Sequence, residues 1–256
     1  MNILSFVYTE LLYRPLFNLL VFLYNIIPGQ DIGVAIILLT IMVRLILYKV
    51  NGKSIKSQRE LQEIQPEIKE LQKKYKDNKE KQAQELMALY QKHKINPFSG
   101  CLPLLIQFPI IIALYRVFLD GFKDESLVHL YSFVPNPGHI ESFSLGLVDL
   151  SVSNISLAVI AAVLQYFQTR SIMNVSKGKE EPKVEKNEEE KTPEEKTQEF
   201  TQAMSKNMMY AMPLLTLVFA MSLPSGLALY WSVTTIFAIV QQSLIIKKRR
   251  EDNPKA

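Results

Sequence analysis

Arg44 is the one charged residue in residues 32–47, a run otherwise built of Ile, Leu, Val, Met, Ala, Gly and Thr. About 20 apolar residues carry a helix across roughly 30 Å of hydrocarbon, and an ionised guanidinium within one costs about 2.5–3.5 kcal/mol on insertion scales. A helix starting near Ile32 puts Arg44 about 18 Å along that path, past the middle. Two readings follow. The side chain snorkels toward the interface near Lys49, or it faces a water-filled cavity open to the cytoplasm. Polar groups suited to such a lining are Thr40, one turn before Arg44; Gln165 and Gln168, three apart on one helix face; and Trp231, which with Ser232, Thr234 and Thr235 interrupts a later apolar run. No Asp or Glu falls within any expected span, so the cation brings no carboxylate of its own. It is suited to receiving one.

Other chemistry lacks the residues it needs. Gly52-Lys53-Ser54 resembles the end of a phosphate-binding loop, but Leu47 stands where the first glycine belongs and an apolar helix precedes it instead of a strand. Leu223 likewise occupies the first-glycine position of a serine-nucleophile pattern around Ser225-Gly226. His93, His129 and His139 all lie outside the spans, no His-Glu-x-x-His run exists, and Cys101 is the sole cysteine. No metal site, cofactor or hydrolytic centre is expected, so the protein is not read as an enzyme. A formal net charge of +4 is too small to indicate a specific nucleic-acid partner.

The elements that must position Arg44 are membrane helices. With 48% hydrophobic residues the chain could be soluble, but those residues are bunched into runs. Five spans are expected at residues 32–50, 97–119, 155–175, 208–223 and 226–246, with Arg170 snorkelling from the third and Pro224 forcing a tight turn between the last two. Of 29 Lys and Arg, 12 lie in residues 49–94, 8 in 170–206 and 5 in 247–255; the opposite loops hold only Arg14 and Lys123 among several acids. This asymmetry puts the charged loops and the C-terminus in the cytoplasm.

In residues 1–31, Glu10, Arg14, Asn18 and Asn25 fall on one face and Leu12, Leu16, Leu19, Leu23 and Ile27 on another. That is the pattern of an interfacial helix on the extracytoplasmic side, with an additional span as the alternative. A signal peptide is not expected, since a basic start and a small-residue cleavage site are lacking. Residues 51–96 repeat Leu61, Ile64, Ile68, Leu71 and Tyr75 at steps of three and four, turn at Asp77-Asn78, and resume with Ala83, Leu86 and Tyr90. This predicts a cytoplasmic helical hairpin kinked at Pro66. Residues 120–154 form an extracytoplasmic loop. Residues 176–207, rich in Lys and Glu, read as a flexible loop, and residues 247–256 as a basic tail.

Asn96-Pro97, then Gly100-Cys101-Leu102-Pro103-Leu104-Leu105-Ile106-Gln107-Phe108-Pro109, with Met87-Ala88-Leu89-Tyr90 before them, the first-span arginine, and Leu223-Pro224-Ser225-Gly226-Leu227-Ala228-Leu229-Tyr230-Trp231 resemble the YidC membrane-protein insertase family, within the oxidase-assembly/YidC/Alb superfamily. The resemblance runs from about Pro15 to Ile246, and is to a short form without a large extracytoplasmic domain. It implies an all-α integral membrane protein of five helices around a cytoplasm-open hydrophilic groove. A monomeric insertase of the bacterial inner or plasma membrane is implied, working without an energy-coupling cofactor. By similarity Arg44 is the groove cation, with Gln168 and Trp231 in its wall; Gln165 and Thr40 are added from helix spacing. Asn96, Pro97, Gly100, Pro103, Gln107, Pro109, Pro224 and Gly226 carry the family pattern. The hairpin resembles the family's mobile substrate-recruiting element. Implied partners are nascent membrane-protein substrates and membrane lipids, with a secretion channel, signal-recognition machinery and the ribosome beyond them. Lys247, Lys248, Arg249 and Arg250 can touch ribosomal RNA or anionic lipid, or anchor the last helix. The rival from another class is a small secondary transporter or anion channel using Arg44 as counter-charge, disfavoured because no inverted repeat is visible. A scaffold that assembles membrane proteins without inserting them is a third reading.

Overall fold

The computed structural model describes residues 3–96, 102–173 and 210–252. The expectations for the loop at 176–207, and for Pro97 and Gly100, lie outside these residues. The elements are α1 (Ile3–Tyr8), a π-helical turn (Thr9–Tyr13), α2 (Arg14–Ile26), α3 (Ile32–Ile46), α4 (Tyr48–Glu63), α5 (Gln65–Lys74), α6 (Lys79–Lys92), α7 (Leu102–Asp120), a short 3-10 helix (Asp124–His129), β1 (Phe143–Ser144), β2 (Val148–Asp149), α8 (Ile155–Met173), α9 (Tyr210–Ser222) and α10 (Ser225–Asp252). Among the described residues two helical stretches, Phe6–Ile26 and Ser225–Lys247, are long and apolar enough to cross a bilayer, and a third counts if α3 and α4 are one span broken at Leu47. The chain is a mostly helical membrane protein. It divides into two compact units, Met1–Val43 with Ile111–Ile239, and Arg44–Ile110 with Val240–Ala256.

In the first unit, Phe17, Val21, Tyr24, Ile36, Leu39, Leu114, Val117 and Phe118 are buried. Ala158 of α8, Ala220 of α9 and Ala228 of α10 cluster, with Leu157 and Leu217 packed against them. Small residues at that junction let helix backbones approach closely, which is how membrane helices gain dispersion contact when lipid offers no hydrophobic drive.

The loop between α7 and α8 binds the helices by backbone and side-chain hydrogen bonds. Asn18 of α2 donates to the His129 carbonyl (3.0 Å) and accepts from the Tyr131 amide (2.6 Å). Asn25 donates to the Pro135 carbonyl (2.7 Å), and the Tyr24 hydroxyl accepts from the Glu141 amide (3.1 Å). Arg14, paired with Glu10 at 2.8 Å, sits 5.0 Å over the Tyr131 ring. The polar face read from the N-terminal sequence is therefore docked on this loop.

Asp31 caps α3. Its carboxylate accepts from the Val34 amide (2.8 Å), the Ser144 hydroxyl (3.0 Å) and the Leu145 amide. Burial pushes its pKa up, but the amides of Leu145, Val34 and Gly33 with the Ser144 hydroxyl outweigh that and hold it below the usual carboxylate range. Asp149 is held low mainly by the Ser151 hydroxyl, against burial and with help from the Ser151 amide and the Ser142 hydroxyl. The start of α10 is tied to the same loop: Ser225 N–H donates to the Val152 carbonyl (2.8 Å), Gly226 N–H to that of Leu150 (3.0 Å), and the Ser225 hydroxyl to that of Asp149 (2.9 Å).

In the second unit, α4, α5 and α6 form a helical hairpin around Ile64, Ile68, Leu89 and Ile95, with Leu61, Leu71, Leu86 and Tyr90 packed against them. Pro66 lies in the first turn of α5, so the helix breaks at Ile64 where no proline ring clashes with a preceding carbonyl. Asn78 caps α6 by accepting from the Lys81 amide at 3.0 Å. The seam departs from its sequence reading on the return helix. Ala83 is exposed and Leu89 is buried, because larger side chains fill the space between the helices.

Candidate functional site

Arg44 stands in the last turn of α3, half-buried, and Gln107 on α7 is half-buried as well. An Nη2 hydrogen of Arg44 is donated to Gln107 Oε1 at 3.1 Å. A residue expected only as part of a family pattern thus touches Arg44. Two positions on, Pro109 sits inside α7, where its missing N–H leaves the Leu105 carbonyl without its helical donor.

The same unit holds a second group of polar side chains. Asn51 and Ser54 on α4 and Gln241 and Gln242 on α10 are all buried. Gln241 donates to the Tyr48 carbonyl at 2.7 Å, tying α10 to the start of α4. A Cβ at Gly52 would lie 3.6 Å from both Gln241 Nε2 and Ile245 Cδ1, so the two helices meet there at van der Waals distance. Asn51 Nδ2, Ser54 Oγ and Gln242 Oε1 are buried with no hydrogen-bond partner among the described residues. An unmade bond at such a group costs about 1–3 kcal/mol. Sequence reasoning missed this group. The available signal was Gln241-Gln242, two amides inside an expected span.

The remaining expected residues are placed as follows. Thr40 is fully buried and donates to the Ile36 carbonyl of its own helix at 2.6 Å, so its hydroxyl proton is spent locally. Gln165 and Gln168 are half-buried on α8, and the Thr169 hydroxyl donates to the Gln165 carbonyl at 2.9 Å. Trp231 is half-buried on α10, one turn after Leu227. Asn96 is exposed, Pro103 lies in the first turn of α7, Pro224 precedes α10, and Gly226 sits in its first turn. Lys247 is exposed; helix α10 continues through Lys248, Arg249 and Arg250 to Asp252, past the expected end of the span at residue 246. Among the described residues no three His, Cys, Asp or Glu gather as metal ligands.

A family profile described as "60Kd inner membrane protein" matches residues 22–253. The chain belongs to the YidC membrane-protein insertase family. A protein of Fusobacterium nucleatum named membrane protein insertase YidC is 30% identical over 241 residues, covering 93% of this chain and 98% of its own. One of Halalkalibacterium halodurans, named membrane protein insertase YidC 1, is 33% identical over 237 residues, covering 90% and 76%. One of Wolinella succinogenes is 35% identical over 243 residues; the match covers 95% of this chain but only 38% of that protein. YidC relatives thus come both at about this length and much longer.

Proposed function

We propose that this YidC family member is an insertase and chaperone without hydrolytic activity. It accepts nascent membrane proteins from the cytoplasm into a hydrophilic groove containing Arg44 and releases their apolar segments sideways into lipid. The observation that carries this reading is the Arg44–Gln107 bond: a guanidinium in the last turn of an apolar helix meets a neutral amide at 3.1 Å. The Arg44–Gln107 bond is already charge-assisted on its donor side, but a carboxylate adds a full opposite charge and can bind the guanidinium bidentately. An acidic substrate segment therefore displaces the amide readily, and the lower effective dielectric away from bulk water strengthens the attraction. Asn51, Ser54 and Gln242 supply donors and acceptors to an entering polar segment that opens their packing, since these buried atoms have no partner among the described residues. Burial of the substrate's apolar surface then drives release into the bilayer, at about 25 cal/mol per Å².

In this reading α3, α7, α8, α9 and α10 are the five spans around the groove, Gln165, Gln168 and Trp231 contribute to its wall, and substrate leaves between α8 and α10. The α4–α6 hairpin and the C-terminus are cytoplasmic and recruit substrate. The N-terminal helix lies in the opposite interface, and Lys247 to Arg250 meet anionic lipid or ribosomal RNA. The protein acts as a monomer in the bacterial inner or plasma membrane, with a secretion channel, signal-recognition machinery and the ribosome as further partners.

Site-specific photocrosslinking of a stalled nascent chain tests the pathway. Adducts at Gln168 and Trp231 are expected. Their absence, with solute movement in proteoliposomes instead, would favour a transporter and overturn the insertase reading.

A further inference from the structure

Strands β1 and β2 pair antiparallel, with Phe143 opposite Asp149 and Ser144 opposite Val148. Leu145, Gly146 and Leu147 connect the strands; Leu145 and Gly146 are the central residues of the turn, at φ +52° and +66°, closed by the Leu147 amide donating to the Ser144 carbonyl at 3.0 Å. Positive φ at both central positions is the primed turn that favours Asn-Gly or Asp-Gly, because a polar residue tolerates the left-handed conformation and meets water. Here a leucine occupies the first position. Its side chain is 74% exposed and that of Leu147 81% exposed. A tip facing only water gains nothing from two displayed leucines.

The tip is also held at a fixed level. Asp31, immediately before α3, binds Ser144 and Leu145; the chain just after β2 binds the first residues of α10. The hairpin is thus pinned where two apolar helices begin. Exposed apolar residues continue from it along the chain through Val152 and Ile155 to Val159 and Ile160 on α8, a helix whose outward side chains are suited to acyl chains.

We propose that Leu145-Gly146-Leu147 is a membrane-interface anchor, its two leucines seated among the glycerol and upper acyl groups of the leaflet at which α3 and α10 begin. The occupant is phospholipid. This goes beyond the insertase reading and does not depend on Arg44. Apolar side chains at a boundary between water and hydrocarbon partition to the interface, and here the backbone is already fixed, so insertion orders little further chain.

The test uses full-length protein in phosphatidylglycerol–phosphatidylcholine vesicles. Leu147→Cys in a Cys101→Ser background is labelled with an environment-sensitive fluorophore and compared with Asn136→Cys on the same loop. Because Leu147 is so exposed, the change leaves the core untouched. The expected result is blue-shifted emission, strong quenching by lipid nitroxides at the upper acyl chain, and iodide quenching several-fold weaker than at position 136. Iodide quenching equal at both positions overturns the proposal, as does protection from both quenchers. A photoreactive amino acid at position 147 with Cys101 intact gives an independent reading: lipid adducts support the anchor, and protein adducts alone overturn it.

Discussion

The loop that binds the starts of α3 and α10 and the polar group on α4 and the far part of α10 treat similar residues in opposite ways. At the first, Ser225, Asp31 and Asn18 each spend their polar atoms on named backbone or side-chain partners. At the second, Ser54, Asn51 and Gln242 bury polar atoms that no group among the described residues meets. A satisfied network rigidifies, whereas a group left short of partners retains affinity for whatever polar chain arrives. The contrast separates a static clasp from a buried polar group still short of partners.

Gly33→Val breaks the clasp most severely. A Cβ there would lie 2.7 Å from the Ser144 Cβ and 3.2 Å from Asp31 Oδ1, so we expect about 1–3 kcal/mol of destabilisation by thermal unfolding in lipid nanodiscs. The hairpin should also lose hydrogen-exchange protection. Gln107→Glu puts a carboxylate in place of the amide that meets Arg44; insertion of acidic substrates should fall about tenfold in proteoliposomes, equivalent to about 1.4 kcal/mol, while protein stability holds. Unchanged insertion would mean that Arg44 does not meet substrate charge.

A matched pair of truncations tests the sign of the contrast. Ser225→Ala removes a made bond and should destabilise by about 1 kcal/mol, whereas Ser54→Ala removes an unmade one and should be neutral or stabilising by about 1 kcal/mol. Equal losses in calorimetry would erase the distinction. The smallest effect is that of pH. Asp31 and Asp149 are held below the ordinary carboxylate value of about 3.9, so their contribution is complete above it and is lost as pH falls through the lower folded values. Exchange at residues 143–149 should be flat between about pH 8 and 5, apart from the chemical rate, and rise only in stronger acid.

What the sequence made legible was local. Apolar runs located membrane helices, an isolated arginine singled out the side chain that meets Gln107, and steps of three and four traced the hairpin seam from Leu61 to Leu71. The polar face of Glu10, Arg14, Asn18 and Asn25 was readable too, but not its docking, because Asn18 meets residues more than a hundred positions away. The Asp31 clasp was hidden for the same reason: its partners lie 113 and 114 positions on, and strands of two residues leave no periodic trace. Gln107 looked like one member of a motif because its contact with Arg44 spans 63 positions. Hydrophobic pattern reports burial; it carries no information about which distant polar side chains meet.

Arg44 itself offers the most direct measurement: insertion rates in proteoliposomes for one substrate carrying an acidic segment and for the same substrate with those carboxylates changed to amides. Arg44→Ala should slow the acidic substrate by about tenfold or more, the worth of one charged hydrogen bond of about 1.5–3 kcal/mol, and leave the neutral one nearly unchanged, with Arg44→Lys retaining most activity. Equal rates for wild type and Arg44→Ala on the acidic substrate would contradict the electrostatic capture step.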